Sequence, residues 1–179
     1  MTLLVTGGSG CGKSAYAERV MEAVAPGEKV YIATMRADGE EGARRVARHR
    51  LQRAGKGYRT VECPLDLCRA GVRDGEAVLL ECLPNLVANE MFDGGDVSRI
   101  LPALRALAGG CRHLVIVTQD VFCDAERYGA STRAYMRALA ALNAEAARLC
   151  DSAVEVVYSI PVVLKGEDPC ASSARCASR

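Results

Sequence analysis

"TLLVTGGSGCGKSAYAERV", residues 2–20, joins a short apolar run to a segment of helical period through a glycine-rich turn. Residues 2–6 are apolar or β-branched, as a buried strand requires. Gly7, four further residues and then Gly12-Lys13-Ser14 reproduce the spacing G-x-x-x-x-G-K-[ST]. Each residue type has a chemical reason to be there. Gly7, Gly8, Gly10 and Gly12 permit the tight, partly positive-φ backbone that turns N–H groups inward on a phosphate, and the following helix adds the positive end of its dipole. Lys13 is placed to reach the β and γ phosphates, and the Ser14 hydroxyl to ligate Mg²⁺. Ser9 and Cys11 complete the loop, Cys11 as a small filler rather than a reactive thiol. Strand, loop and helix occur in the required order, so the stretch predicts a site for a nucleoside triphosphate, without specifying the reaction.

Outward from this loop, short apolar runs alternate with longer segments of helical period, the pattern of a parallel α/β sheet. The strand candidates are "TLLVT", "KVYIAT", "YRTVEC", "AVLLEC" and "HLVIVT". Helices are predicted over Lys13 to Val24, Gly39 to Ala54, Leu86 to Phe92, Val97 to Leu107 and Ser131 to Cys150. "AVEVVYSIPVVLKG" reads as two strands joined near Ser159-Ile160-Pro161, an antiparallel addition at a sheet edge where a proline is tolerated. The expected organisation is one domain over residues 1–166 and a loose tail over 167–179, whose small and polar residues show no period. A loop of this kind also needs a carboxylate near the metal at a strand end. Glu81 after "AVLL" and Asp120 after "HLVIVTQ" are the two candidates.

Composition narrows the partners. The 179 residues carry 23 basic and 22 acidic side chains, a formal charge of +1, so no global field draws the chain to nucleic acid or an anionic membrane. Nine cysteines at irregular spacings include no CxxC pair and no zinc-spaced histidine, which fits scattered reduced thiols better than a disulfide framework. No apolar run approaches roughly 20 residues, and the N-terminus lacks a basic leader. These features lead us to expect a cytoplasmic protein with no membrane span. Neither an NKxD guanine-reading motif nor an LSGGQ stretch is present, which leaves small-molecule kinases and nucleotidyltransferases.

"ARRVARHRLQRAG", residues 43–55, places His49 among five arginines. On a helical wheel Ala43, Val46, Ala47, Leu51 and Ala54 gather on one side, while Arg45, His49 and Arg53 share another. A solvated basic face and a catalytic histidine both remain open on that pattern. Neighbouring guanidinium groups disfavour imidazolium and keep a neutral, nucleophilic nitrogen at pH 7, and they grip polyphosphate well. His113, at the start of a strand beside Arg112, reads as structural.

Together "TGGSGCGKS", "VYIAT", "ARHRLQR" with "YRTVEC", "LLECLPNLVANEMF" and "VVLKG" resemble the bifunctional adenosylcobinamide kinase / adenosylcobinamide-phosphate guanylyltransferase family, from Met1 to about Gly166. The resemblance implies a P-loop NTPase with a RecA-like, mostly parallel sheet, a homotrimer, and the use of GTP, ATP and Mg²⁺. It implies phosphorylation of adenosylcobinamide, a corrinoid, and transfer of GMP through a guanylated histidine at the position of His49. By the same resemblance Gly7 to Ser14 bind the triphosphate and Ala33, Thr34 and Met35 line the nucleotide site. Arg50, Leu51, Gln52 and Arg53 follow the nucleophile, and Glu62 and Glu81 complete the site. The chain departs from the family's glycine-containing Asn-Glu-Val-Gly stretch with "TQDVFCDAERYG", from its tryptophan with Tyr58, and from Ala-Arg-Ser with Ser9-Gly10-Cys11. A P-loop kinase for another metabolite, with His49 inert, and a nucleotide-binding regulatory protein are the alternatives.

Overall fold

The computed structural model describes residues 1–36, 39–120 and 128–170, and the side chains at 41, 43, 45, 48–50 and 52 lie outside the described set. Seven strands form one sheet: β1 Thr2–Thr6, β2 Lys29–Ala33, β3 Tyr58–Glu62, β4 Ala77–Glu81, β5 His113–Val117, β6 Ser152–Val157 and β7 Ile160–Lys165, in the order β3-β2-β4-β5-β1-β6-β7. All neighbours pair parallel except β6 and β7. Among the described residues the α-helices are α1 Lys13–Val24, α2 Gly39–Arg53, α3 Leu83–Phe92, α4 Ile100–Gly110 and α5 Ala130–Leu149.

Alternation along the strands builds two cores. Leu3, Val5, Leu79, Val115 and Val117 face α1 and meet Tyr16, Ala17, Val20 and Met21. Leu4, Ile32, Leu80, Leu114 and Ile116 face the other way and are covered by Leu83, Leu86, Leu104, Leu139 and Leu142 of α3, α4 and α5. A sheet buried on both faces explains why its strands read as unbroken apolar runs. Among the described residues, no side chain of α2 belongs to either core.

Boundaries differ from the sequence expectation chiefly at three places, the first two beside a proline. Helix α3 starts at Leu83 rather than Leu86, because Pro84 lies in the first turn, where no intrahelical N–H is needed. The helix expected from Val97 is divided into a 3₁₀ turn, Val97–Arg99, and α4. Pro102 cannot donate to the Ser98 carbonyl, so the α-helical ladder begins only beyond that point. The hairpin turns at Tyr158 and Ser159, with φ of 50° and 66°, and Pro161 is accommodated inside the edge strand β7.

Of the expected tail, residues 171–179 lie outside the described residues. At its start, Tyr16 Oη donates to Asp168 Oδ1 at 2.8 Å, and Cys170 packs against the α1-side core. The described cysteines are free thiols, and among the described residues no helix is long and apolar enough to cross a membrane.

Candidate active site

The glycine-rich loop occupies the C-terminal edge of the sheet, between β1 and α1, where ligands bind in open parallel sheets. Gly12 is the N-cap of α1, with φ 97° and ψ 9°, a conformation that β-carbon-bearing residues rarely adopt. Gly7, at φ 141°, passes so close to β6 that a Cβ there would run into the Val156 carbonyl oxygen. These two glycines hold the loop against the sheet and leave the first amides of α1 facing outward, a ready anion site. Lys13 Nζ lies over the loop and donates to the Gly8 carbonyl at 2.6 Å. Gly8, Ser9 and Gly10 are exposed, whereas Cys11, Gly12, Lys13 and Ser14 are half-buried.

Ser14 Oγ donates a hydrogen bond to Glu81 Oε1 at the end of β4. The other Glu81 oxygen, Oε2, is buried with no hydrogen-bond partner among the described residues. Burial pushes the Glu81 carboxyl above the usual carboxylate range, while the Ser14 bond and the Arg53 and Lys13 charges pull the other way. Of the two strand-end carboxylates expected from sequence, Glu81 is in contact with the loop's serine, and Asp120 is exposed beyond β5.

The ends of β3, β2 and β4 are in register, with Ala33 opposite both Glu62 and Glu81. Thr34 is fully buried: its hydroxyl donates to the Cys82 carbonyl and accepts from the Cys82 N–H, each at 2.8 Å, clamping β2 to β4. Asn89 of α3 donates to the Thr34 and Pro64 carbonyls at 2.9 Å and fixes the same corner. Met35 lines a small cavity of about 60 Å³ with Tyr31, Arg53 and Glu81. A cavity of about 630 Å³ opens along the loop and α1, lined by Gly10 to Ala15 and by Glu18, Glu22 and Lys56. A larger one, about 770 Å³, lies at the opposite edge of the sheet near Lys29, Arg59 and Arg112, away from the loop.

Helix α2 behaves differently from its wheel. Leu51, expected on the apolar side, is 76% exposed, and Ala47 and Ala54 are exposed as well. Arg53, expected on the polar side, is 6% exposed, with its guanidinium carbon 3.4 Å from the centre of the Tyr31 ring. An aromatic face and the nearby Glu81 charge make the buried position tolerable for a guanidinium. Arg53 Nε and Nη1 nevertheless have no hydrogen-bond partner among the described residues. His49 stands on α2 four residues before Arg53; its side chain, and those of Arg50 and Gln52, lie outside the described residues, as do residues 121–127 of the altered stretch.

Sequence reasoning missed Tyr31, because an aromatic in a strand reads as core, and the buried Glu18, whose Oε2 accepts from Lys56 Nζ at 2.6 Å. It also missed Ser159, whose N–H donates to the Cys11 carbonyl at 2.8 Å and ties the hairpin to the loop. Nothing local in "VVYSIP" marks that long-range contact. His113 is held below the ordinary histidine value by burial, then by the charges of the N-terminus and Arg112.

Comparison with known proteins places the chain in a family. Residues 3–164 match the family described as cobinamide kinase / cobinamide phosphate guanyltransferase. The bifunctional adenosylcobalamin biosynthesis protein CobP of Pseudomonas aeruginosa is 31% identical over 92% of this chain and 97% of its own length. The corresponding CobU protein of Escherichia coli is 42% identical over 54% of each chain. A solved structure from Pyrococcus horikoshii OT3 superposes over 92% of this chain and 86% of its own, with a TM-score of 0.48 and 10% identity. With the family model spanning nearly the whole chain and a full-length relative alongside it, this protein belongs to the cobinamide kinase / cobinamide phosphate guanyltransferase family.

Proposed function

We propose that this chain phosphorylates adenosylcobinamide and then transfers GMP from GTP to adenosylcobinamide phosphate, with His49 carrying the GMP between the two substrates. The observation that carries the reading is the contact between Ser14 of the phosphate loop and the half-buried Glu81, beside the helix on which His49 stands. In the first half-reaction a neutral His49 nitrogen attacks the α-phosphorus of GTP; the N–P bond forms, the bond to the β-phosphate oxygen breaks, and pyrophosphate leaves. In the second, a phosphate oxygen of adenosylcobinamide phosphate attacks the same phosphorus and the N–P bond breaks, giving adenosylcobinamide-GDP and a free histidine. Lys13 and the loop amides offset phosphate charge, and Arg50 and Arg53 are the candidate contacts near the α-phosphate. Arg53 brings two donors, Nε and Nη1, that have no partner among the described residues.

The Ser14 hydroxyl and the Glu81 carboxylate, whose Oε2 has no partner among the described residues, form a hard oxygen donor set that fits Mg²⁺. Ser14 and Glu81 would hold the ion, which would supply positive charge to offset the charge of the phosphates. We infer a homotrimer, supported by the apolar side chains left open on the unpaired edge strand β7, where Ile160 is 65% and Leu164 59% exposed. A cytoplasmic setting accords with the free thiols.

Purified protein given ATP and adenosylcobinamide should form the phosphate ester, and then, given GTP, should release pyrophosphate in step with ester consumed. Phosphorylation without guanylyl transfer would leave a plain kinase. Sedimentation should return three times the 19.0 kDa chain mass, and Leu164→Glu should lower it.

A further inference from the structure

Helix α2 is short of apolar anchors, since none of its described side chains enters either core. A helix so placed needs polar ones. Its last residue, Arg53, lies over the Tyr31 ring, and a second cation follows three residues later. Lys56 Nζ donates to Glu18 Oε2 of α1 at 2.6 Å and lies 3.5 Å from Glu22 Oε1. The turn that carries Lys56 is tied at both ends: Lys56 N–H donates to the Arg53 carbonyl at 3.1 Å, and Lys29 N–H donates to the Gly57 carbonyl at 3.0 Å. The place of the ammonium therefore fixes the end of the helix.

Glu18 is 6% exposed, and a carboxylate so buried is tolerated only when it is paired. Its hydrogen bond pushes the Lys56 pKa above the ordinary lysine value, so Lys56 stays charged at neutral pH. Ser14, Glu18 and Glu22 recur every four residues along α1, which puts them on one face of that helix. At the start of the face Ser14 meets Glu81; one and two turns further on, Glu18 and Glu22 hold Lys56. The helix that begins at the phosphate loop thus also sets where the helix of His49 ends. We propose that the Lys56–Glu18 ion pair is a positioning device, which locks the end of α2 to α1 and so sets the distance from His49 to the α-phosphorus of GTP bound at the loop. Neither residue touches a reacting atom in this role. The inference rests on the guanylyl-histidine reading above, in which a shift of about 1 Å in the nucleophile costs on the order of 100-fold in rate.

Three measurements on the whole protein separate positioning from general damage: the single-turnover rate of labelling by GTP labelled at the α-phosphate, the Mg-GTP dissociation constant, and the rate of ATP-dependent phosphorylation of adenosylcobinamide. Lys56→Met keeps the apolar stem and removes the ammonium. It should label about 10- to 100-fold more slowly, with Mg-GTP affinity and the phosphorylation rate, which does not need His49, within about twofold of wild type. Lys56→Arg, which keeps a cation, should recover most of the lost rate. Glu18→Gln should also label slowly, and the double variant should be no slower than Lys56→Met alone, because the two residues act as one unit. A wild-type labelling rate in Lys56→Met, equal loss of labelling and phosphorylation, weakened Mg-GTP binding, or additive losses in the double variant would overturn the proposal. No label on wild type would overturn the guanylyl-histidine reading, and this proposal with it.

Discussion

On the proposed reading, Glu81 serves chemistry at the expense of stability. Its carboxylate is buried, one oxygen is bonded to Ser14 and the other is unpartnered among the described residues, an arrangement that costs free energy unless a ligand completes it. Glu81→Gln keeps an acceptor for the Ser14 hydroxyl and removes the buried charge. That variant should melt no lower than wild type, yet bind Mg-GTP about 10- to 100-fold more weakly. Thermal melts and titrations on the same samples check both, and a destabilised variant with full affinity would contradict the assignment. The sequence pointed to Glu81 and Asp120 alike, because both follow apolar strands. Only the order of strands in the sheet, a long-range fact, decides which of them reaches Ser14.

At the scale of elements, α2 was legible in extent and misleading in its face. Gly39 to Arg53 forms as periodicity predicts, but a wheel assumes that apolar residues are the ones a helix buries. Here Leu51 is exposed and Arg53 is buried, because the sheet offers the guanidinium a tyrosine ring and a carboxylate, which no count of apolar positions reveals. The start of β4 holds a simpler device. The Arg73 backbone N–H, followed by the Arg73 and Arg59 guanidinium groups, holds the Glu76 carboxyl at about 2. A depressed carboxylate pKa gives stability that is complete above the ordinary value near 4.5 and is lost as pH falls towards 2. Glu76→Gln should therefore cost about 1–3 kcal/mol at pH 7 and converge with wild type in acid. Denaturant unfolding at pH 7 and pH 3 would show the difference shrinking; a constant difference would remove Glu76 from that role.

For the whole molecule, two periodicities were sufficient to read the architecture. Five apolar runs became five parallel strands, and "AVEVVYSIPVVLKG" became the edge hairpin β6–β7. What the sequence could not show is how distant segments close on the loop: Ser159 on Cys11, Glu81 on Ser14, Arg53 over Tyr31. The site is assembled from the C-terminal ends of strands separated by long crossovers, and α2, which contributes none of its described side chains to either core, is laid over that edge. In this account a helix kept out of the core is there to bring His49 to phosphorus. The direct measurement is incubation with GTP labelled at the α-phosphate, followed by denaturation. The account predicts an acid-labile, alkali-stable label on the wild-type protein, mapped to His49 and absent from His49→Ala. No label on wild type, or a label that survives in His49→Ala, would contradict it.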